Sequence, residues 1–243
     1  TMFNSSYFIS AFILLTCNLS LVSSNIYDKC INDKHVSLTF DDGIHENTIN
    51  YVNMLNKYSV SGTFFINGLT IVRNNNYVNL VKQMSANGHI IGSHGFSHAA
   101  MEKLNQFNAN RELSDNELIF RQIFNKRPSI YRPPYFSYSG EILSIINNFG
   151  YDVITSNLNT DDWEVETAEE IYNNYLSKFD NTTGKIILQH DYHANGHLAL
   201  EMIIQHLRNN SYTIVPITVC IGVNNVFIDD NVYGPNLLDG INL

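Results

Sequence analysis

Basic residues are scarce in this chain: 14 Lys and Arg stand against 23 Asp and Glu, a formal net charge of −9. Phosphate binding needs a cationic footprint, so nucleic acid is excluded as a partner, whereas a neutral or cationic polymer is not. Also missing are a Gly/Ser-rich linker, a low-complexity tract and an internal repeat. At 243 residues and 44% apolar, the chain suits one large domain, because an α/β barrel can use more than ~200 residues as a single unit.

The first 24 residues carry no Asp, Glu, Lys or Arg. Within them residues 7–17 are almost wholly apolar, and the chain then turns polar through Asn18, Ser20, Ser23 and Ser24. That pattern predicts a signal peptide over 1–24 and a mature domain over 25–243. No Lys or Arg precedes the apolar core, which leaves an uncleaved anchor as the other reading, although the run is short for a membrane span. The protein is therefore expected to be secreted or held at the cell surface or wall, without a stable span and as a monomer. Of three cysteines, Cys17 falls in the proposed signal, and Cys30 and Cys220 lie near opposite ends of the mature chain. In an oxidising compartment these two can join the first and last parts of a barrel; two buried thiols are the alternative.

From residue 35 onward short β-rich runs alternate with helix-like stretches. Strands are expected at 35–40, 60–66, 89–92, 129–132, 151–156, 185–189 and 212–217. Helices are expected at 47–58, 77–87, 105–125, 140–149, 167–179 and 197–209. Ile142, Leu143, Ile145, Ile146 and Phe149 recur with the spacing of one buried helix face. Thr167 followed by Glu170 reads as a capping box. The continuous run Ile186, Ile187, Leu188 suits a strand covered on both faces. Such alternation implies a parallel sheet, open or closed into a barrel.

Polar chemistry gathers at one end of these strands. Asp41 and Asp42 follow the first, His94 and His98 the third, Arg132 closes the fourth, Asp162 follows the fifth and His190 ends the sixth. In β/α folds the carboxyl end of the sheet is where active sites are built. Asp42, His94 and His98 offer a carboxylate and two imidazoles, a set suited to a catalytic metal with open positions. The i, i+4 spacing lets both rings face one ion if the segment forms a helical turn. Beside such an ion, one of two adjacent acids can ligate while its neighbour accepts a proton from water. Arg132 would orient a nearby carboxylate, or else snorkel over its aromatic neighbours as a surface cation.

These residues fall into five motifs in order: Thr39-Phe40-Asp41-Asp42-Gly43, His94-Gly95-Phe96-Ser97-His98, Arg132-Pro133-Pro134-Tyr135, Asn159-Thr160-Asp161-Asp162-Trp163 and Leu188-Gln189-His190. Their joint occurrence, across roughly residues 36–220, resembles the polysaccharide deacetylases with the NodB homology domain (carbohydrate esterase family 4), which include chitin and peptidoglycan deacetylases. The resemblance implies an α/β fold, a distorted (β/α)7 barrel of NodB type. It implies Asp41 as general base and Asp42, His94 and His98 as ligands of zinc, with cobalt, nickel or iron fitting the same donors. Arg132 would steady Asp41, the Tyr135 backbone N–H would help hold the oxyanion, and His190 would be the general acid oriented by Asp162. Trp163 and Leu188 would line the pocket for the acetyl methyl. The implied activity is hydrolysis of N-acetyl groups on a polysaccharide containing N-acetylglucosamine, such as chitin.

Four positions depart from the family pattern. Gly95 replaces a Ser or Thr whose hydroxyl helps fix the histidine loop, Asn159 replaces an Asp, Phe136 stands where Gly is common, and Ile44 replaces a usual Pro. They keep a second reading in view: a sugar- or wall-binding member of the fold with little turnover. A third is a metal-dependent hydrolase of another amide or ester.

Overall fold

The computed structural model describes residues 25–229. The proposed signal segment, Cys17 and the tail from residue 230 lie outside the described residues.

Elements alternate as the sequence pattern predicts. The strands are β1 (Ile26–Tyr27), β2 (His35–Asp41), β3 (Thr63–Ile66), β4 (Ile90–Ser93), β5 (Lys126–Pro128), β6 (Ile130–Tyr131), β7 (Asp152–Ile154), β8 (Leu158–Asn159), β9 (Lys185–His190), β10 (Thr213–Ile214) and β11 (Phe227–Asp229). The helices are α1 (Thr48–Lys57), α2 (Gly68–Arg73), α3 (Tyr77–Ala86), α4 (Gln106–Phe124), α5 (Gly140–Asn148), α6 (Ala168–Lys178), α7 (Gly196–Asn209) and α8 (Ile217–Ile221). The main sheet runs β1-β7-β6-β4-β3-β2-β9-β8, with β10 also on β2, and all its pairings are parallel. A separate antiparallel pair joins β5 to β11.

The sheet has to curl. β7 lies next to one end of the strand order and β8 forms the other, yet only residues 155–157 separate them in the chain. Four Cα steps reach at most about 14 Å, so the two ends of the sheet approach one another. The result is a distorted half-barrel with helices packed around it. β2 and β9 form its longest pairing, and Val36, Leu38, Phe40, Ile186, Ile187 and Leu188 are all buried. The expected helix face on α5 is present, with Ile142, Ile145 and Ile146 buried. Thr167 and Glu170 close the capping box at the start of α6.

Local departures have local causes. The expected strand at 212–217 shortens to β10, because Pro216, which has no N–H for a ladder, stands at the head of α8. Short β1, β5, β8 and β11, together with α2, carry too few residues for a periodic signal.

Two long-range ties hold the barrel. A disulfide joins Cys30, just after β1, to Cys220 in α8 across 190 residues of sequence. Arg132, directly after β6, is fully buried, and its guanidinium spans the curled sheet. Nη1 donates to Thr39 Oγ1 and to Asp41 Oδ1, both at 2.8 Å; Nε donates to the Ile154 carbonyl at 3.1 Å and Nη2 to the Thr155 carbonyl at 2.9 Å. Phe65 lies against its face, 4.3 Å from Cζ to the ring centre. The reading of Arg132 as a surface cation is thereby excluded.

Replacing both Cys30 and Cys220 by Ala should lower the unfolding free energy by about 2–5 kcal/mol, as read from urea denaturation. An unchanged midpoint would show that the cross-link contributes no stability. Arg132→Met should cost about 3–5 kcal/mol in the same assay, since it strands a buried carboxylate; a loss under about 1 kcal/mol would contradict the bridging role.

Candidate active site

Strand register places the polar residues together before any side chain is considered. Asp41 pairs with His190 across β2 and β9, and Asn159 pairs with Leu188 across β8 and β9. β2 delivers Asp41 and Asp42 to the carboxyl rim, β4 delivers His94, and β6 delivers Arg132. Just past the strand ends the backbone enters the left-handed region repeatedly, at Asp42 (φ 72), Gly95 (φ 77), His98 (φ 64), Tyr135 (φ 57), Phe136 (φ 50) and Asp161 (φ 49). Such conformations cost a non-glycine residue about 1 kcal/mol or more and persist only where the surroundings over-determine them. Here they turn the chain so that side chains point over the barrel mouth. Gly43 is needed for a different reason: a Cβ there would overlap the buried Asp191 carboxylate.

The ligating atoms offered by Asp42, His94 and His98 all lie within 4.8 Å of one another. Asp42 Oδ1 is 3.3 Å from His94 Nε2 and 2.9 Å from His98 Nε2. The two rings converge through an irregular loop and not through the expected helical turn, because positive φ at Gly95 and His98 bends the chain more sharply than a helix allows.

The donor set fits a divalent cation. His94 Nδ1 donates to the Arg132 carbonyl at 2.7 Å, which leaves the lone pair on Nε2 facing the Asp42 carboxylate. Asp42 Oδ1 is buried and accepts no well-directed hydrogen bond among the described residues. Lone pairs aimed at one another in this way need a cation between them. Burial pushes the Asp42 carboxyl upward, but hydrogen bonds and charge from the His94 and His98 rings, when these carry their protons, outweigh it and hold the group well below the usual carboxylate range.

Two further pairs flank these donors. Asp41 gives Oδ1 to Arg132, while its Oδ2 faces His94 Nε2 at 3.9 Å. His190 donates from Nδ1 to Asp162 Oδ1 at 2.7 Å and from its backbone N–H to Asp162 Oδ2 at 2.6 Å. Its Nε2 therefore points toward Asp42, with Oδ2 4.0 Å away. Burial alone would lower the His190 ring, but the hydrogen bond and charge of Asp162, with Asp41 and Asp42 beyond, raise it to about 9. Asp162 is fully buried.

A cleft of about 570 Å³ opens over this cluster, and its walls include Tyr135, Phe136, Asn159, Trp163, Leu188 and Tyr192. Trp163 is 45% exposed and stands edge-on to His190, 5.3 Å between ring centres, so it is a groove wall and not core. Phe136 occupies the groove as its bulk suggests. Ser156 donates to the Asn159 side chain, so the amide at this position is engaged.

Several neighbours carried no sequence signal strong enough to be singled out. Asn67, just past β3, donates to the His94 carbonyl at 2.7 Å; its place at a strand end was the available clue. Thr39 accepts from Arg132 and donates its own O–H to the Ile187 carbonyl at 2.7 Å. Asp191 accepts from Thr48 Oγ1 at 2.5 Å, and burial pushes its carboxyl up to about 7. Glu112 reaches the histidine loop from α4, 15 residues along the chain from Ser97.

Comparison with known proteins agrees with this geometry. The polysaccharide deacetylase family matches residues 28–154. A chitin deacetylase from Pestalotiopsis is 31% identical over 207 residues, covering 84% of this chain and 69% of that protein. A peptidoglycan-N-acetylglucosamine deacetylase from Bacillus cereus is 30% identical, covering 76% of this chain and 67% of that protein. The solved chitin deacetylase of Colletotrichum lindemuthianum superposes with a TM-score of 0.80 at 25% identity, covering 84% of this chain and 96% of that one. A parallel half-barrel, its rim of acids and histidines and these relatives agree: the chain belongs to the polysaccharide deacetylase family.

Proposed function

We propose that the protein is a secreted, zinc-dependent deacetylase that hydrolyses N-acetyl groups on amino-sugar polymers such as chitin. One observation carries the reading: Asp41 and His190, each with its own charged partner, flank the Asp42, His94 and His98 donor set beneath a single cleft. A pure binder needs neither flanking pair. The disulfide supports an extracellular or cell-wall location. Among the described residues no helix is long and apolar enough to cross a membrane.

Asp42, His94 and His98 would hold the cation, zinc by preference, with cobalt, nickel and iron accommodated by the same donors. When bound, it supplies Lewis acidity that polarises an acyl oxygen and makes water a stronger acid near neutral pH. The remaining work falls to the chain. Asp41 Oδ2, left free because Arg132 occupies Oδ1, accepts the proton of the attacking water as a new C–O bond forms at the acetamide carbon. The Tyr135 backbone N–H donates to the developing oxyanion. His190, protonated and oriented by Asp162, delivers its Nε2 proton to the sugar nitrogen, the C–N bond breaks, and acetate and a free amine leave. Leu188 and Trp163 enclose the acetyl methyl, and the aromatic walls of the cleft suit the faces of sugar rings.

Acetate release from N-acetylglucosamine oligomers is the deciding measurement. Protein starting at Asn25 should release acetate only with zinc, and Asp41→Asn should reduce the rate by about 10²-fold or more while zinc remains bound. No release from zinc-loaded wild-type protein would overturn the deacetylase reading in favour of sugar binding or another acyl substrate.

A further inference from the structure

The loop bearing both ring donors, residues 94–98, lacks the hydroxyl that the family pattern places at its second position, which in this chain is Gly95. A backbone that turns through φ 77 at Gly95 and φ 64 at His98 needs an external constraint to hold two imidazoles on one point. Asn67 and the N–H groups of Gly68 and Leu69 hold the loop carbonyls of His94, Gly95 and Phe96, and the constraint on its N–H side comes from α4. Glu112 Oε2 accepts from the backbone N–H of Phe96 at 3.0 Å and of Ser97 at 2.8 Å, and Oε1 accepts from Ser97 Oγ at 2.6 Å. Three hydrogen bonds from one carboxylate thus grip the two residues midway between His94 and His98. Gly95 makes this approach easy: an added Cβ would sit 3.3 Å from Glu112 Oε2, tighter than ordinary contact.

We infer that Glu112 is a positioning residue for the cation site, clamping the His94–His98 loop in its ligating shape and replacing the support absent at Gly95. It touches neither substrate nor cation and acts only through the loop. Partners of this kind outside the ligand set typically govern about 10- to 100-fold in metal affinity. The inference rests on the reading of Asp42, His94 and His98 as metal ligands.

The test measures zinc affinity directly, by competition of the metal-free protein with a chromophoric chelator. Asp42→Ala serves as the reference: if it leaves the wild-type zinc affinity unchanged, the ligand reading itself fails. With that reading secured, Glu112→Ala should weaken zinc binding about 10- to 100-fold. Glu112→Gln, whose amide oxygen can still accept from both backbone N–H groups, should retain most of the affinity. Thermal unfolding of the metal-free variants separates positioning from general stability, and Ser97→Ala, which removes one bond, covers the case in which Glu112→Ala fails to fold. The zinc concentration for half-maximal acetate release should rise in step, with the rate at saturating zinc little changed. Unaltered zinc affinity in a folded Glu112→Ala protein, or in Ser97→Ala if only that variant folds, would overturn the inference. So would Glu112→Gln losing as much as Glu112→Ala, because charge and not the clamp would then be responsible.

Discussion

The structure depends first on one buried cation. Arg132 brings a guanidinium, which stays charged at any accessible pH, into the interior of a curled sheet. A lone charge there would be prohibitive, and the fold tolerates it by meeting the planar fork with a carboxylate, a hydroxyl and two carbonyls from two distant parts of the chain. Those partners belong to β2, the last residue of β7 and the first of the β7–β8 connection, so satisfying the cation also sets how far the sheet curls. The same bonds orient Asp41, and the Arg132 carbonyl fixes the ring of His94. Folding and site assembly share this residue.

The division of the barrel into a stabilising body and a chemical rim follows from backbone geometry. β2 and β9 pair along their shared length from Val36 to Asp41 and nearly all their side chains are buried, so that region tolerates only packing. Beyond the strand ends the ladder stops, and the chain adopts left-handed turns that a regular element would forbid. Local cost is accepted there because the packed body beneath is rigid. Strain, buried ionisable groups and the cleft therefore coincide at one end of the sheet.

The site is polarised as well as clustered. Asp162 raises the proton affinity of His190, whereas the two imidazoles depress that of Asp42. These opposite shifts arise from contacts a few ångströms apart between common residue types. Asp191, buried behind the loop and held by Thr48, adds a further carboxyl whose packing requires glycine at position 43.

Much of this was legible in the sequence. Alternating elements, the helix face of α5, the capping box at Thr167 and the gathering of acids and histidines after strand ends all arise from short-range periodicity and spacing, which one chain displays without folding. The five ordered motifs carried the family. The tertiary structure alone decided the rest, since it turned on approach between residues distant in sequence. It placed Arg132 inside the barrel, joined Cys30 to Cys220, brought His94 and His98 together through a loop with positive φ rather than a helical turn, and brought Glu112 from α4 onto that loop. A sequence records which donors and acceptors exist; only the curl of the sheet, set by a three-residue connection between its two ends, determines which of them meet.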